Sequence, residues 1–171
     1  EHNAVDRQNF SRYYPKRLPA ESLFDAVNQI TGSRSAFPGL PQGTRAVSLP
    51  DNSYNQGSYF LSVFGRPEGS SACECERTQE ASLAQSLHLL NAQDIQLKLT
   101  SNEGRAAGMV KEAKPEPEKL RDLYLAAFSR EPRPEEVKLA ETHLAKPRVE
   151  AEGKPLDSVQ AKRQGLEDIL W

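Results

Sequence analysis

The apolar residues of this chain recur mainly every three or four positions, which is the spacing of an α-helix that buries one face. The first such segment covers residues 19–32, with a proline at its start and a glycine at its end. Proline fits the first turn of a helix and glycine fits the position just beyond the last turn. The pattern therefore predicts a helix whose inward stripe is Leu23, Phe24, Val27 and Ile30.

The longest apolar stripe begins at Leu83 and continues through Leu87, Leu90 and Ile95. It predicts either one long helix or two helices that break near Asn91. We expect these leucine-bearing segments to fold back on the region of the Gly-Arg-Pro turn and the two cysteines, so that the chain forms one compact body.

Four further helices are predicted beyond Gly104. Residues 105–114 form a short helix, and residues 118–129 form a helical hairpin with the helix that begins at Pro134. The last helix starts with Asp157 or Ser158 as its cap. Its apolar side is predicted to carry Val159, Leu166, Ile169 and Leu170.

Two segments depart from the helical pattern. Residues 33–50 are rich in proline and glycine and predict turns, with one short strand or extended piece at residues 45–49. Residues 59–64 form an apolar run that is too short for its period to distinguish a buried strand from a short helix. The predicted fold class is mainly α: a compact helical domain with a short extended or β segment and long Pro/Gly loops.

With 171 residues, the chain is long enough for one ordinary domain with its own core. We predict a single helical domain over residues 1–171, and a sub-division into a core region at 1–100 and a helical hairpin plus last helix at 115–171 stays open. The chain lacks an initiator Met and stops at Trp171 inside an apolar helical pattern. We therefore expect it to be an excised fragment of a longer polypeptide.

The net charge argues against a nucleic acid partner, and the length of the apolar runs argues against a membrane span. The net charge of −2 supplies no basic surface for nucleic acid. No apolar run reaches the roughly 18 residues that a membrane span requires. We expect neither a nucleic acid partner nor a membrane span in this fragment.

The two cysteines stand in the sequence Cys73-Glu74-Cys75-Glu76, ahead of a predicted helix. A helix dipole stabilises a thiolate near its N-terminus, so a reactive or metal-binding pair is chemically reasonable. A structural zinc site usually has four ligands, whereas here only His88 is near in sequence. The cysteines are therefore interpreted as small packing residues, with a metal site or a strained redox-active disulfide as alternatives.

His88 lies among leucines, as expected for a histidine at the boundary of a core or, alternatively, for a metal or haem ligand. The candidate binding residues are Arg66, Cys73, Glu74, Cys75, Glu76, Arg77 and His88. No catalytic residue is predicted, because the common hydrolase, nucleotide-binding and metalloprotease motifs do not occur. Cys-x-x-Cys-His is also missing, so we expect no haem attachment in this fragment.

Several blocks of the chain resemble one family, and the most specific is Cys73-Glu74-Cys75-Glu76-Arg77. The others are residues 10–21, 37–47, 59–67, 83–91, 123–130 and 165–171. The chain is similar to a planctomycete-type domain of unknown function that follows a planctomycete cytochrome c domain in large exported proteins. The resemblance implies a location in the periplasm or at the cell surface and a haem in another domain of the parent protein.

The sequence and the resemblance together lead to three hypotheses about function. The first is a non-catalytic accessory or scaffold domain whose partners are other domains of the parent chain or other proteins. The second is a redox or metal-binding domain that uses Cys73 and Cys75 to support electron transfer. The third is carbohydrate binding through exposed tyrosines, namely Tyr13, Tyr14, Tyr54 and Tyr59.

Overall fold

The computed structural model describes residues 17–50, 58–67, 82–149 and 153–171. Its helices are α1 (Ala20–Thr31), α2 (Tyr59–Val63), α3 (Leu83–Asn91), α4 (Gln93–Leu99), α5 (Arg105–Lys111), α6 (Glu116–Phe128), α7 (Pro134–Leu144) and α8 (Ser158–Leu170). Within these ranges there is no sheet, and the only β pairing is an isolated antiparallel bridge between Val149 and Pro155. The mainly helical fold class is confirmed.

Helix α1 has the boundaries that the sequence predicted. It follows Pro19 and ends at Gly32, whose φ of 71° is left-handed and whose N–H donates to the Asn28 carbonyl. A Cβ on Gly32 would lie 3.0 Å from the backbone nitrogen of Arg105 at the start of α5. Glycine is required here both by the backbone angle and by the close approach of α5.

A second face of α1 carries buried polar side chains, which the apolar stripe did not reveal. Glu21, Asp25 and Asn28 are all buried and lie four and three residues apart along the helix. Asn28 Oδ1 accepts a hydrogen bond from the Lys98 ammonium of α4 at 2.6 Å. Because buried polar groups need partners, this face positions the elements that surround α1.

Residues 45–49 do not form a strand. Residues Ala46–Ser48 form a 3-10 helix, and the residues on either side of it are extended. The reason is the buried carboxylate of Asp25, which accepts the backbone N–H of Ala46 at 2.7 Å and that of Val47 at 3.2 Å. These donors are satisfied by α1, so the segment has no need of a neighbouring strand.

The two ambiguous apolar segments are both resolved as helix. The run that begins at Tyr59 is the short helix α2. The leucine-rich segment breaks at Ala92, which has extended angles (φ −67°, ψ 126°) and separates α3 from α4. Of the predicted alternatives, the short helix at residues 59–64 and the two helices separated by a break near Asn91 are therefore correct.

The leucines of α3 do not pack on the core, contrary to the sequence-based expectation. Leu83, Leu87 and Leu90 are 75%, 49% and 50% exposed. The buried residue is Gln85, whose Nε2 donates to the Val63 carbonyl at 2.9 Å. Helix α3 thus docks on α2 through a polar contact, and its leucine row faces outward.

Two clusters of buried apolar side chains form the core of the described part. The first surrounds α1 and α2 and contains Ala20, Phe24, Phe37, Ala46, Phe60, Leu61, Phe64, Ile95 and Leu99. The second joins α5, α6 and α8 and contains Ala106, Met109, Leu123 and Leu166. The partly buried Leu170, near the end of α8, packs against both clusters and connects them.

Helices α5, α7 and α8 begin where the sequence placed them, whereas α6 begins at Glu116, two residues earlier than predicted. Asp157 caps α8, because its Oδ1 accepts the N–H groups of Val159 and Gln160 at 2.8 and 2.9 Å. Val159 does not share the buried side with Leu166 and is exposed. Val159 lies in the first turn of α8, whereas the second core cluster forms around Leu166 further along the helix.

The α6–α7 hairpin carries a charged contact at its turn. The Arg130 guanidinium donates to both carboxylate oxygens of Glu136, at 2.7 and 2.8 Å. This hydrogen bond, together with one from the Arg133 backbone N–H, lowers the pKa of Glu136 to about 2. The contact is exposed to water, so it orients the turn more than it stabilises the fold.

Candidate functional site

His88 of α3 lies against aromatic side chains of α2 and of Phe64, the residue that follows α2. Its ring centroid is 5.4 Å from that of Tyr59, 5.6 Å from that of Phe60 and 6.1 Å from that of Phe64, with the rings edge to face. Only 8% of the His88 side chain is exposed. Gln85 and His88 are three residues apart and therefore lie on the same face of α3, towards α2.

The Nε2 atom of His88 faces the carboxylate of Asp94, 3.5 Å away. The two groups do not form a hydrogen bond, and this buried nitrogen has no hydrogen-bond partner among the residues that the structure describes. Asp94 Oδ1 instead accepts the backbone N–H of Ile95 at 3.0 Å. The contact between His88 and Asp94 becomes an ion pair only when the imidazole is protonated.

A pocket of about 530 Å³ lies beside His88. Its walls come from α1, from residues 34–37, from the start of α2 and from the junction of α3 with α4. The aromatic rings of Phe24, Phe37 and Tyr59 line it, together with the charged groups of Arg34, Asp94 and Lys98. Its volume is within the range of roughly 300–1,000 Å³ that is typical of small-molecule sites.

Lys98 is held in this pocket by two contacts. Its Nζ lies 4.9 Å from the centroid of the Phe24 ring, in addition to its hydrogen bond with Asn28. Partial burial lowers the pKa of Lys98, and the negative charge of Asp94 opposes that shift. The ammonium is thus partly removed from water, and its hydrogen-bond acceptor is a neutral amide.

Arg66, the other predicted site residue within the described ranges, belongs to a different contact. Its Nε lies 3.3 Å from Oε1 of Glu21, and the two side chains are almost completely buried. This ion pair connects α1 with the residues that follow α2. Arg66 and His88 therefore have different acidic neighbours, Glu21 for the first and Asp94 for the second.

The remaining predicted residues, Cys73, Glu74, Cys75, Glu76 and Arg77, lie outside the described residues. Their binding role stays a prediction. Across the ranges that the structure does describe, no three His, Cys, Asp or Glu side chains converge as a metal site would require.

The meeting of Arg34, Asp94 and Lys98 in one pocket was not predicted from the sequence. Asp94 and Lys98 are four residues apart, which places them on one face of α4, and this spacing was the available signal. Arg34 had no comparable signal, because it lies in a proline- and glycine-rich loop whose path depends on the packing around α1.

A second charged cluster connects α7 with α8. Arg148 Nη1 donates to Asp168 Oδ2 at 2.6 Å, and His143 Nε2 lies 3.1 Å from the same oxygen. The sequence around His143 showed no carboxylate pattern that pointed to this contact, because Asp168 is distant along the chain. The cluster joins the end of α7 to the end of α8, and it is separate from the pocket beside His88.

In its described part, the molecule is thus an all-helical domain with a pocket that combines aromatic rings and charged groups. A family model described as PSD1, protein of unknown function (DUF1553), matches residues 1–144. The match covers most of the chain, and the chain belongs to this family.

No curated protein and no solved structure matches the chain. None of the helices within the described ranges combines the length and apolar character needed to cross a membrane.

Proposed function

We propose that this chain is a non-catalytic accessory domain that attaches to other domains of a larger exported protein, in which a separate cytochrome c domain holds the haem. The resemblance of its sequence blocks to the planctomycete-type domain supports this context. Export would place the domain in the periplasm or at the cell surface. The role of the domain is attachment, and the reaction belongs to other parts of the polypeptide.

The observation that carries this proposal is the outward leucine row of α3, formed by Leu83, Leu87 and Leu90. Burying one leucine side chain contributes about 1.5–3 kcal/mol of free energy relative to leaving it in water. A row of exposed leucines on one helix therefore favours association with another apolar surface. We assign that surface to a neighbouring domain of the same polypeptide.

The leucine row is tested by replacing Leu83 and Leu87 with Glu in the full polypeptide. Because both side chains are exposed, the free energy of unfolding of the isolated chain should change by less than about 0.5 kcal/mol. In the full polypeptide, the backbone amides of α3 should exchange hydrogen at least about tenfold faster in the variant than in the wild type. The reason is that the neighbouring domain no longer covers the helix. Hydrogen exchange read by mass spectrometry measures this effect.

The control is Leu139→Glu, which changes an equally exposed leucine of α7. It should leave exchange in α3 unchanged. Equal exchange of α3 in the wild-type polypeptide and in the double variant would show that nothing covers the row, and the attachment role would be rejected.

The exported context has a separate test in the coding sequence that flanks this segment. We expect an export signal and a Cys-x-x-Cys-His haem-attachment motif in the same reading frame. A complete reading frame without that motif would contradict the cytochrome c context, and it would leave the test of the leucine row intact.

A further inference from the structure

The pocket beside His88 offers an exposed aromatic face. Tyr59 is 71% exposed and lines the pocket. Its ring is positioned by the His88 ring, 5.4 Å away and edge to face. An aromatic ring that is exposed yet held in place presents an apolar face to a ligand at a low cost in conformational entropy.

Two cations in the same pocket form no close ion pair within the described part of the chain, although the charge of Asp94 acts on Lys98 from a greater distance. Lys98 donates to the amide oxygen of Asn28, and Arg34 makes no ion pair there. The two side chains also line an adjoining cavity of about 500 Å³, so they stand at the boundary between the two spaces. A carboxylate placed between a guanidinium and a partly buried ammonium forms charge-assisted hydrogen bonds.

Two acids limit which anions this site accepts. Asp94 lines both cavities, and Glu103 lines the second. Asp94 Oδ1 accepts the Ile95 N–H, whereas Oδ2 has no donor among the described residues. A compact anion without hydrogen-bond donors is repelled by this carboxylate, but a ligand hydroxyl can donate to it. The site therefore favours one carboxylate combined with hydroxyl groups.

We infer that the pocket bounded by Tyr59, Arg34, Asp94 and Lys98 binds a small hydroxylated ring acid of the uronic acid type. The ring lies on Tyr59, the ligand carboxylate lies between Arg34 and Lys98, and a ring hydroxyl donates to Asp94. A pocket of about 530 Å³ accommodates a ligand of this size. This site is independent of the leucine row and of the attachment role.

The experiment is an NMR titration of the 171-residue chain with D-glucuronate, D-glucose and benzoate. Glucose keeps the hydroxyl groups without the carboxylate, and benzoate keeps a ring and a carboxylate without hydroxyl groups. We expect glucuronate to bind at least about tenfold more tightly than either, because only glucuronate satisfies both the cations and Asp94. The amide signals that shift should belong to the pocket walls.

Variants assign the contacts. Arg34→Gln should weaken glucuronate binding about tenfold and leave glucose binding unchanged, since it removes one charge-assisted contact. Arg34 is exposed, so this variant should fold normally. Lys98→Gln should have the same effect as Arg34→Gln. Tyr59→Ala should weaken the binding of both glucuronate and glucose.

The matched controls are Lys138→Gln and Phe128→Ala, which change an exposed lysine and an exposed aromatic residue away from the pocket. Both should bind glucuronate as the wild-type chain does. The inference is overturned by tighter benzoate binding, which would indicate an aromatic acid instead. The inference would also be overturned if glucose and glucuronate bound with equal affinity, or if Arg34→Gln bound glucuronate as the wild-type chain does. Failure of all three probes to bind would overturn it as well.

Discussion

Replacing Phe60 with Ala is expected to lower the free energy of unfolding by about 3–5 kcal/mol. Phe60 is 1% exposed, and its ring lies 4.4 Å from that of Phe64 and 5.5 Å from that of Phe24. Removing this ring leaves a cavity at the centre of the first core cluster, and the surrounding helices can only partly collapse into it. Chemical denaturation followed by circular dichroism measures the loss.

The matched control for Phe60→Ala is Tyr59→Ala, which changes the preceding residue of the same short helix. Tyr59 is 71% exposed, so its replacement should change the free energy of unfolding by less than about 0.5 kcal/mol. Similar losses in the two variants would mean that α2 does not face the core as described. The comparison separates the packing of α2 from its helix propensity, since both variants introduce the same residue.

The second large effect is expected from Leu166→Ala, with a loss of about 2–5 kcal/mol. Leu166 is completely buried in the second core cluster, among Ala106, Met109 and Leu123. It belongs to the cluster that joins α8 to α5 and α6. Val159→Ala on the exposed side of α8 is the control, and it should change stability by less than about 0.5 kcal/mol.

The same measurements test whether the two clusters belong to one cooperative unit. Leu170 packs against both clusters, so we expect Phe60→Ala and Leu166→Ala to shift one common unfolding transition. Two transitions, each shifted by only one of the variants, would instead support the division between residues 1–100 and 115–171. The single-domain prediction would then be wrong.

The helices could be read from the sequence because their signals are local. Pro19 and Gly32 delimit α1, and Asp157 caps α8, because each acts within one or two turns of the helix. The break at Ala92 was also foreseen, although the pattern alone did not choose between one helix and two. Local signals did not extend to residues 45–49, where the carboxylate of Asp25 on α1 produces a 3-10 helix.

The candidate site was foreseen only in part. His88 was singled out because it stood among leucines, and it does line the pocket. The hydrophobic period predicted that the leucines face inward, whereas Gln85 and His88 lie on the inward face of α3. A hydrophobic period shows that a helix has two faces, but the partner decides which one is buried. Here that partner is α2, through its aromatic side chains and its Val63 carbonyl, which accepts a hydrogen bond from Gln85 Nε2.

The sequence by itself determined the helical class, the positions of most helix ends and the loop-rich stretch after α1, because each depends on residues close together along the chain. Only the tertiary structure decided the direction of the α3 leucines and the meeting of Arg34, Asp94 and Lys98 in one pocket. These features join residues far apart in the sequence. Their geometry depends on how α1, with its buried polar face, holds the surrounding segments.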